Sequence, residues 1–292
     1  MMTNGLKRCD LHMHTLHSDG TLTPTELVRL AKDKGLACIA LTDHDTLNGI
    51  EEAQAEGNRI GVEVISGVEI SVRFEPGTMH ILGYFVDRNC LTLKEGLAEI
   101  QGARRQRNPQ IIEKLRALGI DISLEEVKRE SGGDQVGRPH FARVLVQKKY
   151  VKDFEEAFNK YLTKGAPAYI DKRKLTSREA FEMIEAAGGI PSLAHPKLLK
   201  LDSNLKQFEE TIEQLRAEGL KGLEVYSSCQ SKKEAAHYRK TAEKFRLIIT
   251  GGSDFHGGNR PQAPLGWMGD GAAIYYDTID QMKKLFLDQK IK

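Results

Sequence analysis

Short apolar runs alternate with amphipathic segments along most of the chain. The apolar runs have the length and β-branched content of buried strands. They fall at residues 6–12, 37–42, 62–72, 78–86, 189–194, 221–226 and 246–250. Apolar positions with helical spacing fall between them, at 23–35, 46–60, 91–119, 176–187, 203–218, 231–245 and 278–289. Repeated strand–helix units predict a mainly parallel sheet with helices outside it, and seven or so strands favour a closed α/β barrel.

Local signals divide this pattern further. Thr23, Pro24 and Glu26 form the pattern of a capped helix start. Pro109 is expected to kink or divide the longest predicted helix. From about 121 to 175 the strand signal fades into short amphipathic helices, which predicts a small inserted helical subdomain. We therefore expect two parts, a barrel domain at 1–100 and 176–292 and an inserted helical cap subdomain at 101–175.

Composition limits the class of protein. The chain has 292 residues, of which 40% are hydrophobic and 29% charged, as is typical of a globular protein. Its net charge of +2, from 43 basic and 41 acidic residues, argues against a protein that coats DNA, but permits a local basic pocket for a phosphate. No apolar stretch approaches the ~18 residues of a membrane helix, and the first residues lack the apolar region of a signal peptide.

The four cysteines are isolated in the sequence, and two of them lie in predicted strands. They are Cys9, Cys38, Cys90 and Cys229. Pairing in disulfides would be expected of an extracellular protein, but the isolated, apolar settings favour reduced thiols. Together with the missing signal peptide, this predicts a cytoplasmic protein that does not bind a membrane. Nothing in the sequence indicates an obligate protein partner.

Histidines and carboxylates gather at the ends of the predicted strands. His12 and His14 lie two apart at the end of the first strand, so their side chains point the same way and can bind one metal ion. The other candidate ligands are Asp19, His44, Glu69, His80, His195, Asp254 and His256. Apart from His80, which begins its strand, all lie at or just beyond carboxyl ends, where α/β barrels assemble active sites.

Each of these motifs alone has an ordinary structural explanation. A single HxH pair arises by chance, and Asp45 in TDHD is a candidate cap for a helix that starts at Thr46. Glu69 alone would suit a solvated strand, and His195 alone a hydrogen-bonded core histidine before a proline. The joint pattern is different, because six of the nine histidines and three carboxylates occupy the ends of separate strands. Such a set predicts a metal site.

The composition of the candidate set bears on the metal. Nine ligands exceed what one ion can use, so two ions with bridging ligands, or more naturally three, are expected. Six imidazoles and three carboxylates without cysteine suit Mn²⁺, Fe²⁺ or Zn²⁺ better than Mg²⁺, which prefers oxygen alone. We expect two or three divalent ions, with Mn²⁺ as the first choice and Fe²⁺ or Zn²⁺ as alternatives.

The order of these motifs resembles that of the PHP family, the polymerase and histidinol phosphatase phosphoesterases. The motifs are DLHMHTLHSDG, LTDHD, GVEIS, HILGY, LAHP and GGSDFH, and together they span residues 9–257. The resemblance implies a distorted (β/α)7 barrel with a two- or three-metal site. It also implies that the nine candidate residues are the metal ligands, and none of them is substituted.

The inserted region is similar to that of a narrower group, the bacterial 3',5'-nucleoside bisphosphate phosphatases, which includes the 5'-to-3' exoribonuclease ribonuclease AM. The motifs are ARRQR, GRPHFAR and FNKYLTKGAPAY. The resemblance implies that Arg104 and Arg107 bind a substrate phosphate with help from His140, under a helical cap. Arg104 and Arg107 are three apart and share a helix face, although a solvated basic face with Arg105 is the alternative. We include Arg138 among the expected substrate-binding residues.

The implied reaction is hydrolysis of a phosphomonoester or of a terminal phosphodiester. The expected substrate is a small nucleotide such as adenosine 3',5'-bisphosphate, or the 5' end of a short RNA. Glu69 is the candidate bridging carboxylate, and Asp45 or His195 would protonate the leaving oxygen. The alternatives are a histidinol-phosphate phosphatase, a proofreading module that needs a partner polymerase, and a non-catalytic module that binds nucleotides or a protein.

Overall fold

An eight-stranded sheet lies at the centre of the described residues and curls into a nearly closed barrel. The computed structural model describes residues 7–131, 135–171, 173–269 and 271–290. Within these ranges the strands are β1 (Arg8–Asp10), β2 (Leu36–Leu41), β3 (Glu63–Val72), β4 (Met79–Tyr84), β5 (Ile190–Leu193), β6 (Gly222–Ser227), β7 (Ile248–Gly252) and β8 (Ile274–Tyr275). They pair in the order β7-β6-β5-β4-β3-β2-β1-β8. The seven predicted strands are all present, and β8 is the strand that the sequence pattern missed.

Helices connect the strands and pack against them. They are α1 (Pro24–Asp33), α2 (Ile50–Ile60), α3 (Leu91–Ala117), α4 (Leu124–Ser131), α5 (Arg138–Gln147), α6 (Phe154–Ala157), α7 (Ser177–Ala186), α8 (Leu205–Glu218), α9 (Lys232–Phe245) and α10 (Tyr276–Lys290). Short helical turns occupy Phe158–Leu162, Pro196–Leu199 and Gly257–Asn259. In the described part of the chain, no helix combines the length and the apolar character that crossing a bilayer requires.

The direction of β4 explains why one candidate ligand begins its strand. β1, β2 and β3 are parallel, as are β5, β6 and β7, but β4 is antiparallel to both β3 and β5. The amino end of β4 therefore lies at the same edge of the sheet as the carboxyl ends of its neighbours. His80 at that amino end is thus brought to the edge where the other candidates lie.

The barrel is closed at this edge by the segments that follow β1 and β7. The amide of Leu11 donates to the carbonyl of Gly251 (3.2 Å), and the amide of Asp254 donates to the carbonyl of His12 (2.9 Å). Gly252 lies against β1 so closely that an added Cβ would stand 2.4 Å from the amide nitrogen of His12. The two segments that carry the first and last candidate ligands are therefore held in register by a contact that requires glycine.

The second half of α3 and the helices α4, α5 and α6 share a hydrophobic core that is separate from that of the sheet. The second half of α3 contributes Ile111 and Leu115, and α4 and α5 contribute Val127 and Phe141. The first half of α3 packs instead in the core of the sheet, for example through Leu97. α3 thus spans both cores, and this packing on both sides accounts for its continuous course.

Two of the three local predictions for helices need correction. The capping box of α1 is confirmed, because Thr23 accepts from the amide of Glu26 (3.2 Å) and Glu26 accepts from the amide of Thr23 (2.9 Å). Pro109 does not divide α3, which runs through it as one helix, and the alternative of a kink at Pro109 stays a prediction. The helix expected from 46 begins only at Ile50, with Gly49 at its cap.

We expect Gly252→Ala to destabilise the protein by about 1–3 kcal/mol, the usual effect of overpacking. The added methyl would collide with His12 and push the segments after β1 and β7 apart. Urea unfolding followed by circular dichroism measures the change in the free energy of unfolding. Gly102→Ala in α3 is the matched control, because its Cβ would meet nothing closer than Arg105 at 3.9 Å. Equal stability of the two variants would contradict the close contact.

Candidate metal centre

All nine predicted metal ligands lie together at one edge of the barrel. Their ligand atoms form four overlapping groups, and within each group every atom lies within 4.8 Å of the others. The groups are His14, Asp19, His44 and His256; His12, Glu69 and His195; His12, His14 and Asp254; and His44, Glu69 and His80. Each shares at least one residue with another, so the nine side chains form one continuous cluster. A cluster of this composition is able to hold divalent metal ions.

Glu69 lies at the centre of the cluster and is 1% exposed. Its Oε2 is 3.2 Å from Nε2 of both His12 and His14 and 3.0 Å from Nδ1 of His44. Its Oε1 is 2.8 Å from Nδ1 of His80 and 2.9 Å from Nε2 of His195. One carboxylate therefore contacts five imidazoles, the arrangement expected of a ligand that bridges ions.

Several of these atoms are buried without a hydrogen bond to the described part of the chain. They are Nε2 of His12, Nε2 of His14, Oδ1 of Asp19, Nδ1 of His44 and Oε2 of Glu69. A buried polar atom without a hydrogen bond costs about 1–3 kcal/mol. Five such atoms facing one another fit divalent ions, which would satisfy all of them at once.

The pKa values of two histidines in the cluster are shifted in opposite directions. Burial lowers the pKa of His14, but the carboxylates of Asp254 and Glu69, 3.3 and 3.2 Å from its Nε2, raise it to about 10. Burial also lowers the pKa of His80, to about 4. Glu69 opposes this shift, and His44 and His195 add to it. The buried carboxylates therefore favour a proton on His14 but not on His80. A metal ion would displace that proton on binding.

A second layer of buried carboxylates holds the cluster in place, and sequence reasoning missed it. Glu224 in β6 accepts from Nδ1 of His12 (2.9 Å) and from the amide of His195 (2.6 Å). Asp43 accepts from the amide of Thr15 (2.7 Å). The signal for Glu224 was a lone glutamate inside the apolar strand KGLEVY, and that for Asp43 was its place in TDHD. Such outer carboxylates orient imidazole ligands and fix their tautomers.

Arg260 is a further residue that no sequence motif indicated. Its Nη1 donates to Oδ2 of Asp254, whose Oδ1 lies 3.3 Å from Nε2 of His14. Burial raises the pKa of Asp254, but Arg260 and the histidines around it lower the value well below the usual range. Asp254 is therefore held as a carboxylate.

Three residues of the site region have left-handed backbone conformations. Asp45 and Asp254 have φ of 54° and His195 has φ of 25°. Residues other than glycine adopt such angles at a cost, and they concentrate at functional sites. His195 and Asp254 are themselves candidate ligands, and Asp45 directly follows the candidate ligand His44, so all three lie at the ligand edge of the barrel.

The interpretation of Asp45 in TDHD as the cap of a helix is wrong. Its Oδ1 accepts from the amide of Ser71 (3.1 Å), and its Oδ2 accepts from Nε of Arg104 (3.1 Å). α2 begins five residues later, so the side chain is turned towards β3 and α3 instead. Its role as a proton donor stays a prediction.

The predicted substrate-binding residues lie beside the cluster. Arg104, Arg107, Arg138 and His140 line one cleft of about 180 Å³ together with the candidate ligands Asp19, His44 and His80. Arg107 is 3% exposed, and burial together with the charges of Arg104 and Arg138 lowers its pKa to about 9. The structure thus brings both predicted sets to a single cleft.

Comparison with known proteins gives the family. The PHP domain matches residues 10–228, three quarters of the chain. The chain belongs to the PHP family. It is 36% identical over 276 residues to a 5'-3' exoribonuclease of Haemophilus influenzae, covering 94% of this chain and 97% of the relative. It is 37% identical over 248 residues to a 3',5'-nucleoside bisphosphate phosphatase of Chromobacterium violaceum, covering 85% and 86%.

The fold has a solved counterpart. A crystal structure from Bifidobacterium adolescentis, described as that of a metal-dependent phosphoesterase, superposes with a TM-score of 0.84. The sequences are 28% identical, and the match covers 94% of this chain and 95% of the other. The PHP match thus extends from sequence motifs to the whole architecture.

We expect Glu224→Gln to weaken Mn²⁺ binding about tenfold to hundredfold, the usual loss when an outer carboxylate is removed. The side-chain oxygen of the glutamine could still accept from the amide of His195. The negative charge beside His12 would be lost. Chelator competition, followed by elemental analysis, measures the affinity. The surface variant Glu185→Gln is the control, and an unchanged affinity in Glu224→Gln would show that Glu224 has no part in ligand positioning.

Proposed function

We propose that this PHP-family chain is a metal-dependent phosphoesterase that hydrolyses 3',5'-nucleoside bisphosphates and acts as a 5'-to-3' exoribonuclease on 5'-phosphorylated RNA. The observation that carries the proposal is the single cleft in which the metal-ligand cluster faces three arginines and a histidine. The names of the Haemophilus and Chromobacterium relatives agree with it. The metal cluster supports the chemistry, and the basic wall of the cleft supports the substrate.

Arg104 is held ready for an anion by Asp45. Its Nε and Nη2 both donate to Oδ2 of Asp45, which is buried. Among the described residues this leaves Nη1 of Arg104, near the start of α5, for a ligand. A fixed guanidinium loses little conformational entropy when it binds a phosphate. Asp45 thus supports phosphate binding, whether or not it also donates a proton.

Arg107 and Arg138 face the same cleft as Arg104, and their charges oppose one another. Burial lowers the pKa of Arg107, and Arg104 and Arg138 lower it further. The pKa of Arg138 is also lowered, first by burial and then by Arg104 against the opposing effect of Tyr169. A phosphate between these groups would relieve their repulsion, which supports a second phosphate-binding position in the cleft.

The ring of His140 is set up as a hydrogen-bond donor. The amide of Gly137 donates to its Nδ1 (2.9 Å), so a neutral ring carries its proton on Nε2. Burial lowers the pKa of His140 to about 4, which keeps the ring neutral near pH 7. Nε2 is buried and has no hydrogen bond to the described residues. A phosphate oxygen would satisfy it.

Divalent ions bound by the nine residues would polarise the phosphoryl oxygens and lower the pKa of the attacking water. Arg104, Arg107, Arg138 and His140 would hold the second phosphate away from the one that reacts. The substrate should therefore carry two phosphates, or a phosphate and a phosphodiester. Glu69 is the proposed bridging carboxylate. Asp45 and His195 stay the two proposed proton donors; Asp45 is paired with Arg104, and His195 would donate only if it does not hold an ion.

We further propose the division of the chain and the number of ions. Residues 101–175 would form the helical cap, and 1–100 with 176–292 the distorted (β/α)7 barrel, an assignment supported by the separate core of α4 and α5. The four overlapping ligand groups support two or three ions, with Mn²⁺ preferred and Fe²⁺ or Zn²⁺ as alternatives. The cytoplasmic location stays a prediction.

Activity in the presence of Mn²⁺ tests the proposed function. We expect hydrolysis of adenosine 3',5'-bisphosphate and of short 5'-phosphorylated RNA, with weaker activity on histidinol phosphate and on adenosine monophosphates. The reason is that only the first two substrates place a second phosphate on the basic wall of the cleft. Phosphate release and gel analysis measure the rates. A preference for histidinol phosphate would overturn the substrate, and inactivity on all four would overturn the function.

Replacing the arginines tests phosphate recognition separately from metal binding. We expect Arg104→Ala and Arg107→Ala each to raise KM for the bisphosphate about tenfold to hundredfold, because a hydrogen bond to a charged group contributes about 1.5–3 kcal/mol. Metal content and the KM for a monophosphate should change little. Arg116→Ala, on the exposed face of the same helix, is the control. Equal losses on both substrates would contradict the role in holding the second phosphate.

A further inference from the structure

A second cleft of about 490 Å³ opens beside the first, and its walls are strongly basic. The six cations that line it are Arg73, Arg138, Lys164, Arg173, Lys174 and Lys200. The carboxylates in its described lining are Glu75 and Asp171. Because the whole chain is nearly neutral, this excess is a local feature of the surface.

The second cleft is continuous with the first. Thr78, Arg138, Phe158 and Lys174 line both. A ligand whose end lies among the metal ligands and the arginines can therefore extend past Phe158 and Lys174 into the basic cleft. No sequence motif predicted this path, since its residues come from the segment after β3, from α5 and the chain between α6 and α7, and from the turn after β5.

Ion pairing accounts for only part of the positive charge. Lys164 pairs with Glu75, and Arg173 pairs with Glu99 on α3. Arg73, Lys174 and Lys200 form no ion pair with any described carboxylate, and Arg73 and Lys200 are exposed. These three cations are available to an anionic ligand.

Lys174 shows that the cations crowd one another. Burial lowers its pKa, Asp171 raises it, and the charge of Arg138 lowers it again. A chain of phosphates along the cleft would offset the repulsion between Lys174 and Arg138. The repulsion therefore agrees with a site built for more than one negative charge.

The cleft also offers aromatic surfaces beside its cations. The guanidinium of Arg138 lies over the ring of Tyr169, 5.4 Å from the centroid, and its Nη1 donates to the carbonyl of Leu162 (3.1 Å). Phe158 and Tyr169 are each half-buried, so part of each ring faces solvent. A basic groove combined with aromatic rings is the arrangement by which proteins bind single-stranded nucleic acid without sequence preference.

We propose that this second cleft binds the sugar–phosphate chain of single-stranded RNA beyond its first nucleotide. The first nucleotide occupies the cleft at the metal ligands, and the next phosphates lie along Lys174, Arg73 and Lys200. The proposal rests on the proposed function and adds to it a path for the substrate. It separates two substrate classes, since a bisphosphate fills the first cleft alone and an RNA chain fills both.

Charge reversal at the outer end of the cleft tests the path. The variant is Arg73→Glu with Lys200→Glu, two exposed residues outside the metal and arginine sites. The probe is a fluorescent, 5'-phosphorylated six-nucleotide RNA with phosphorothioate linkages, bound to the Mn²⁺-loaded full chain and followed by anisotropy. We expect the affinity for the RNA to fall about tenfold. We also expect the slope of log affinity against log salt concentration to become shallower by about 1.4, because each phosphate contact on a single strand contributes about 0.7.

The matched control reverses two exposed lysines on α9 that lie outside both clefts, Lys233→Glu with Lys240→Glu. It makes the same change in net charge and should leave RNA binding within about twofold of the wild type, since only local contacts count in this slope. Equal weakening in both double variants would show a general charge effect and overturn the path. Unchanged binding in the cleft variant would overturn it as well.

Hydrolysis separates this proposal from the proposed function. In the cleft variant, KM for the six-nucleotide RNA should rise while KM for adenosine 3',5'-bisphosphate stays within about twofold of the wild type, because the shorter substrate makes no contact there. A parallel rise for both would assign Arg73 and Lys200 to the first cleft and overturn the path. If the wild-type protein hydrolyses neither substrate, the proposed function fails, and the anisotropy comparison still decides whether the cleft binds RNA.

Discussion

The contact of one buried carboxylate with five imidazoles is the constraint on which the rest of the structure depends. Glu69 is 1% exposed, and its two oxygens lie within 3.2 Å of ring nitrogens from four separate segments. Burial raises the pKa of Glu69, but His44, His12 and His80 lower it well below its usual value. A charge held in this way needs positive partners; Glu224 holds His12 directly, and Asp43 holds the segment after His14 through the amide of Thr15. The antiparallel direction of β4 and the close packing of Gly252 against His12 bring these side chains together at the barrel edge.

The direction of each strand decided which ligands were predictable. His12, His44 and Asp254 follow parallel strands, so their position after an apolar run was enough to place them at one edge. His80 did not fit that rule, because the sequence does not state that β4 runs antiparallel to its neighbours. Its motif placed it in the set, and strand pairing supplied the reason. The strand pattern also missed β8, whose two residues carry no periodicity.

The residues that sequence reasoning missed share a different cause. Glu224 is one glutamate in an apolar strand, and it resembles a solvated position until β5 and β6 are seen side by side. Arg260 lies only six positions from Asp254 but belongs to no motif, whereas the cations of the second cleft come from distant parts of the chain, since Arg73 and Lys200 are 127 positions apart. Spacing along a chain predicts which side chains share an element. It does not predict which elements share a cleft, so outer-layer contacts and surface paths become visible only in the folded structure.

One short chain of contacts joins the candidate metal ligands to the proposed phosphate-binding residues. The amide of Asp45 donates to the carbonyl of Glu69 (2.9 Å), and the carboxylate of Asp45 binds Arg104. Gln101 on the same helix donates to the carbonyl of Asp45 (2.9 Å). α3 is thereby fixed to the ligand edge at a set separation, although it also belongs to the core of the helical region. A fixed separation between the ligand edge and Arg104 favours a substrate whose two phosphates are spaced to match it. It disfavours a substrate that must change its conformation to fit. In the proposed function, the specificity of the site therefore depends on the backbone that holds Asp45 as much as on the arginines themselves.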